Sequence, residues 1–348
     1  MSAAEVRELV NNAFRRRPQA VTVDPLAALG AFVVTLEQVQ KMQATRLIWR
    51  EKIAFGHAAV WSAPANGGKT ALAKFAASEL ANAFTVLFFQ EDASAGDLPA
   101  MYQHASEHGY TLLNSTLAGS SPEGQISALR GMVRDGVDLS GVVMFFDTLK
   151  KYADLMSKGG SRAFFQLMRT LTQRGATVVL LGHTNKHKGT DGKLIFEGVG
   201  DVRNDVDEML YIESTERDPT GIVTLTMRPD KVRCAIREGT FTLDTKTMEV
   251  RALDYVVDVA AIQAAQRHQA EDASLIECFT NALAKGGMKH TELIDAVLNT
   301  SDAPRRRVQE VFDRYCSITP GDSRARWIET RMRLNNTRHI ALKTESMQ

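Results

Sequence analysis

The chain has 348 residues, 44% of them hydrophobic, with 42 Lys plus Arg against 41 Asp plus Glu and a formal net charge of +1. That length suggests about two domains, one large and one small, and a core that needs no covalent staples. The charge balance excludes overall basicity as a source of nucleic-acid affinity, so any such surface must come from local clusters.

Residues 1–56 read as an N-terminal helical arm. Val6, Leu9, Val10 and Phe14 have helical spacing, and the basic run Arg15, Arg16, Arg17 precedes Pro18. A plain surface helix and an arm that docks on a neighbouring subunit both fit this pattern. The first residues are polar and carry no apolar segment of signal-peptide type. With no bilayer-length apolar run elsewhere, the expected location is the cytoplasm, with no membrane partner.

From 57 to 253, short apolar runs alternate with helical stretches. The runs are 57–63, 85–89, 142–146, 177–181 and 209–212, and amphipathic segments such as 71–80 and 162–173 lie between them. Buried strands alternating with helices predict an α/β fold with a mostly parallel sheet flanked by helices. Residues 222–227 and 240–243 read as antiparallel strands that extend its edge. Residues 254–272, rich in Ala, Gln and Val, read as a helical linker. The unit 273–348 then shows helical stretches at 274–285, 290–298 and 304–316 and strands at 325–334 and 338–343, joined at Asn335-Asn336-Thr337. Three helices followed by a hairpin predict a small winged-helix-like domain. Cys234, Cys278 and Cys316 are far apart and show no CxxC or Cys/His metal spacing, which predicts reduced thiols.

The strongest motif is Ala63-Pro64-Ala65-Asn66-Gly67-Gly68-Lys69-Thr70, between an apolar strand and a helix. A triphosphate carries dense negative charge, so a loop that grips it turns backbone N–H groups inward. Gly67 and Gly68 permit that approach, and a helix N-terminus faces the phosphates. Lys69 is expected to reach the phosphate oxygens and the Thr70 hydroxyl to hold Mg²⁺. Ala63 stands where the motif usually has its first Gly, a position that needs only a small side chain. In Val142–Asp147, a buried strand ends in Asp147, the second expected Mg²⁺ residue. Glu91, after the strand 85–89, is the expected base that polarises water, with Asp92 its rival; either could instead cap the next turn. His183, at the end of strand 177–181, is expected near the terminal phosphate, or else satisfied within the strand-end network.

These elements, in this order, resemble the RecA/DnaB-type ATPase fold, closest to hexameric replicative helicases of the plasmid RepA type. Gly68-Lys69-Thr70, Glu91-Asp92, Asp147-Thr148-Leu149 and His183 to Lys186 carry the likeness, with Gly198-Val199-Gly200 before Asn204-Asp205-Val206-Asp207. It spans roughly residues 45–245. It implies a RecA-like core, ATP and Mg²⁺, and a homo-oligomeric ring, hexameric in that family, with nucleotide sites between subunits. Lys231 and Arg233, in Arg228-Pro229-Asp230-Lys231-Val232-Arg233, resemble the Lys-x-Arg element that such rings insert from the neighbouring subunit; a solvated strand edge is the other reading. The resemblance also implies two loops lining a pore for single-stranded DNA. One holds Lys150, Lys151, Lys158 and Arg162, the other Lys186, Lys188 and Lys193, with Tyr152 and Phe196 as stacking candidates. In the tail, Arg305, Arg306 and Arg307 on a helix, and Arg331, Arg333 and Arg338 on the hairpin, are candidate DNA contacts. The expected function is an ATP-driven motor on single-stranded DNA, a replicative helicase of a plasmid, phage or other mobile element. A filament-forming recombination or repair ATPase and a nucleotide-dependent DNA-binding regulator are the alternatives.

Overall fold

The computed structural model describes residues 4–5, 29–41, 45–153, 158–185, 194–197, 202–319, 321–322, 324–331 and 337–343. Little of the arm falls within these. Its described part, residues 29–41, ends in the short helix α1 (Leu36–Lys41) and exposes Phe32, Val33, Val34 and Leu36. The arm stops earlier than the apolar pattern indicates. Residues 47–54 form a hairpin, β1 (Leu47–Trp49) and β2 (Ile53–Ala54), that belongs to the main body. Trp49 explains why: its ring lies parallel to that of Phe241, with centroids 5.7 Å apart, and its indole N–H donates to Glu79.

The body is an α/β sandwich in three layers. In chain order it contains β3 (Ala58–Ala63), α2 (Lys69–Leu80), β4 (Thr85–Gln90), α3 (Leu98–His108), β5 (Thr111–Leu113), α4 (Pro122–Arg134) and β6 (Val142–Asp147). There follow α5 (Lys158–Gln173), β7 (Thr177–His183), α6 (Val202–Asp205), β8 (Glu208–Ser214), β9 (Ile222–Lys231), β10 (Gly239–Asp244) and β11 (Val250–Ala252). Nine strands make one sheet in the order β11-β10-β9-β8-β3-β7-β6-β4-β5. From β8 to β5 every neighbouring pair is parallel, whereas β9, β10 and β11 add on antiparallel.

The two-residue period of the strands divides the core. Trp61, Phe88, Phe145, Val179 and Leu181 face α2, while Val60, Phe89, Phe146, Val178 and Leu180 face α4 and α5. Alanines 71, 73, 76 and 77 of α2 are buried, and their small side chains let that helix lie close on the strands. Because both faces are covered, the central strands are apolar throughout and project polar groups only at their ends. The ends of β3, β4, β6 and β7 therefore gather on one rim.

The tail begins on α7 (Val259–Leu283), capped by Asp258, whose carboxylate accepts from the Ala261 N–H at 3.0 Å. The sequence pattern divides this stretch into a linker and a separate helix. It is instead one continuous 25-residue helix, since no Gly or Pro interrupts it. Its second half packs with α8 (His290–Thr300) and α9 (Arg305–Tyr315) around Phe279, Phe312 and the fully buried Trp327. Strands β12 (Met288–Lys289), β13 (Cys316–Ser317), β14 (Trp327–Arg331) and β15 (Arg338–Leu342) complete the unit, in the order β12-β15-β14-β13. The Asn335-Asn336 turn lies outside the described residues.

Asp272 of α7, fully buried, accepts from Arg307 at 2.6 Å and Arg314 at 2.5 Å, which ties α7 to α9. Asp272→Ala is expected to lower the stability of this unit by about 3 kcal/mol, the low end for breaking a buried pair, because both guanidinium groups keep partial access to water. Urea denaturation followed by tryptophan fluorescence checks this. Among the described residues, no helix is long and apolar enough to cross a membrane.

Candidate functional site

The phosphate-loop residues, Glu91, Asp147 and His183 meet on the rim where β3, β4, β6 and β7 end. β3 stops at Ala63, and the chain turns through Asn66 in the left-handed region at φ 58° before entering α2. Gly67 is required by space: a Cβ there would lie 2.9 Å from the Pro64 carbonyl oxygen. Gly68 is required twice over, by φ +78° and by Leu225 Cδ1, which would stand 2.8 Å from an added Cβ. The turn directs the first amides of α2, the positive end of its dipole, towards the rim.

Lys69 opens α2 and is only 6% exposed. Burial holds its ammonium below the ordinary lysine pKa, against the pull of Asp147 and Asp92. Its Nζ lies 3.4 Å from His183 Nδ1. That imidazole is kept neutral by burial and by the nearby positive charges of Lys69 and Lys150. His183 Nε2 is buried without a partner. A buried ammonium, a neutral imidazole and a helix N-terminus make a rim that favours a polyanion.

Across the rim, the Thr70 hydroxyl donates to Asp147 Oδ2 at 2.7 Å. Burial pushes the Asp147 carboxyl upward, opposed by the hydrogen bonds from Thr70 and Gln90. The hydroxyl and carboxylate together form the donor set of a hard, oxygen-seeking cation such as Mg²⁺. The cradle, the buried lysine and this donor set all fit a nucleoside triphosphate with its magnesium. The Asp147–Thr148 peptide is cis, and the Thr148 hydroxyl donates to the Leu181 carbonyl at 2.8 Å, joining β6 to β7.

The two candidate bases differ in setting. Glu91 Oε1 accepts from the Ser115 N–H at 2.6 Å and Oε2 from the Ser115 hydroxyl at 2.7 Å. Asp92 acts through its charge on Lys69, Asp147 and His183. Sequence reasoning missed Gln90, which donates to Asp147 and accepts from the Asp92 and Ala93 N–H groups, so that it locks β4 to β6. The available signal was register: two parallel strands ending on one rim pair Gln90 with Asp147. Ser115 and Leu225 come from distant segments and left no local trace.

Lys231 and Arg233 are not on this rim. Lys231 pairs with Met209, and Met209 pairs with Val60, so the end of β9 lies towards the start of β3. At about 3.3 Å per residue, the three steps from Val60 to Ala63 set Lys231 roughly 10 Å below the rim along the sheet, and Arg233, which meets Asp207 beside Ala58, roughly 17 Å below it. Lys231 Nζ donates to the carbonyls of Arg203 at 2.6 Å and Val206 at 2.8 Å, at the C-terminal end of α6. Arg233 donates to Asp207 at 2.7 Å beside Arg169, with half of its side chain exposed.

Lys150 and Lys151 form an exposed turn after β6, close enough for the charge of Lys150 to act on Lys69. Lys186, Lys188 and Lys193 lie outside the described residues; on either side of them, Thr184 and Phe196 form an isolated antiparallel bridge. Arg333 is likewise outside them. In the tail, Arg307 is engaged by Asp272, Arg306 by Glu310 at 2.9 Å and Arg305 by Asp295 at 3.3 Å. Arg331 and Arg338 both engage Glu329. No protein-family model matches this chain, and no characterised protein matches it in sequence.

Proposed function

We propose that the chain is a RecA-like P-loop ATPase that works as a ring-forming motor on single-stranded DNA, a replicative helicase of a plasmid, phage or other mobile element. The observation that carries this reading is the meeting of Lys69, Thr70, Asp147 and His183 on one rim. The backbone amides and Lys69 would bind the phosphates of ATP, and Thr70 and Asp147 would hold Mg²⁺. Magnesium, when bound, neutralises charge on the phosphates during transfer. The strand order also favours a RecA-like core, with the Asp147 strand one place removed from the P-loop strand and the His183 strand between them.

Glu91 takes the role of general base, with Ser115 as its orienter. A base held by a third group is the arrangement that activates a nucleophile reliably. Glu91→Gln is expected to reduce turnover by about 10²–10⁴-fold while nucleotide affinity stays near wild type. Asp92→Asn is expected to act chiefly on binding, through its charge on Lys69. Steady-state ATPase rates with fluorescent-nucleotide titrations separate the two; if turnover collapses only in Asp92→Asn, the base is Asp92.

The remoteness of Lys231 and Arg233 from their own P-loop supports a role on the neighbouring subunit's nucleotide, hence a ring. The exposed apolar side chains of Phe32, Val33, Val34 and Leu36 suit an arm that packs on that neighbour. In the tail, buried Asp272 engages Arg307 in holding α7 to α9, and the exposed Arg305 and Arg306 stay available for contact with protein or DNA. ATPase assays with and without single-stranded DNA, forked-duplex unwinding, and particle images test the whole reading. DNA-independent hydrolysis by a monomer would overturn the motor and leave the regulator.

A further inference from the structure

At the end of the sheet away from the P-loop, three metal-ligating side chains from separate segments converge. His57 precedes β3, Glu208 opens β8 and Cys234 follows β9. His57 Nδ1 lies 2.6 Å from Glu208 Oε1, Cys234 Sγ lies 3.7 Å from the same oxygen, and the three ligand atoms all fall within 4.8 Å of one another. Glu208 is completely buried, and its second oxygen, Oε2, has no hydrogen-bond partner. An open groove of about 1190 Å³ runs along this end, with His57, Cys234 and Thr45 in its wall.

We infer that His57, Glu208 and Cys234 bind a divalent transition-metal cation of the zinc class, with a fourth position open to the groove. The ligand types decide the class: a thiolate and an imidazole suit zinc, whereas magnesium and calcium take oxygen donors. The size also fits. With Zn–N near 2.0 Å and Zn–S near 2.3 Å, a tetrahedral centre separates its ligand atoms by roughly 3.3–3.6 Å, a range bracketed by the 2.6 Å and 3.7 Å contacts and the 4.8 Å limit found here, so His57 and Glu208 need only move apart by less than about 1 Å. Charge fits as well, because one carboxylate and one thiolate neutralise a divalent ion in a buried wall.

On binding, the thiol proton leaves to solvent. Ligation through Nδ1 needs that nitrogen free of its proton and leaves the imidazole proton on Nε2, which faces the Thr45 hydroxyl at 3.3 Å, the kind of outer partner that fixes a ligand imidazole. The orphaned Glu208 oxygen then lies beside a cation in place of an empty contact. Cys234 directly follows Arg233, so occupancy would anchor the end of β9 that carries Lys231 and Arg233. The site stands on its own residues, whatever nucleotide the P-loop takes.

Cobalt(II) titration of the metal-free full-length chain tests it. The expected result is a thiolate-to-cobalt charge-transfer band that saturates at one ion per chain and is displaced by zinc. Cys278→Ser, Cys316→Ser and Lys69→Ala should keep the band. Cys234→Ser, at a partly exposed loop position and checked for folding by circular dichroism, should lose it and weaken zinc binding beyond the ~10–100-fold typical for loss of an outer-shell partner. Zinc should raise the thermal midpoint of the wild type and not that of Cys234→Ser. Absence of the band in the wild type, its survival in Cys234→Ser, or equal stabilisation of both proteins would overturn the site.

Discussion

Arg233→Ala is expected to leave ATP binding near wild type and to lower turnover by about 10³-fold or more, the scale on which an arginine supplied in trans acts on phosphoryl transfer. The expectation rests on distance and on what the side chain leaves behind. Arg233 sits at the opposite end of the sheet from Lys69, so one subunit cannot bring it to its own nucleotide. Its present partner, Asp207, keeps Arg169 at 2.9 Å and the Ala58 N–H at 3.0 Å when Arg233 is removed. A half-exposed ion pair with such backup contributes about 1 kcal/mol or less, so the fold should survive.

Mixing gives the decisive measurement. Arg233→Ala and Lys69→Ala subunits are each expected to be inactive as pure oligomers. In a mixed ring, an intact Lys69 from the first variant meets an intact Arg233 from the second at some interfaces, and hydrolysis should return there. If the mixture stays as inactive as its components, Arg233 does not act across an interface.

The layered sheet was legible because its signals are local. A buried parallel strand such as Val142–Asp147 must be apolar until its last residue, and a turn as tight as 64–68 must carry glycines where a Cβ would collide. The antiparallel strands at the edge were legible for a similar reason, in their polar turns. What the sequence concealed depends on partners distant along the chain. The Trp49 hairpin looks like part of the arm until Phe241 and Glu79 are known to meet it. That Arg307 also holds the tail together is hidden until Asp272, buried on α7, is known to engage it, while Arg305 and Arg306 stay exposed in surface ion pairs. His57, Glu208 and Cys234 have no motif spacing because three strands, and not one loop, bring them together.

Lys69→Ala is expected to weaken nucleotide affinity by about 100-fold and to bring hydrolysis below detection. Two charge-assisted hydrogen bonds to phosphate oxygens, at about 1.5 kcal/mol each, set that scale. The substitution should not act through misfolding, and the structure gives the sign. Burial lowers the Lys69 pKa, so the folded chain holds an ammonium less well than the unfolded chain does. The penalty is therefore full below the lowered value and fades as pH rises from there towards the ordinary lysine value. Lys69→Met, which keeps the aliphatic stem and removes the charge, should raise the nucleotide-free thermal midpoint and flatten the alkaline part of its pH dependence. ATP with magnesium should raise the midpoint of the wild type far more than that of either variant. Loss of stability in Lys69→Met without nucleotide would mean that the buried ammonium supports the loop, and the cradle would then owe its shape to a different contact.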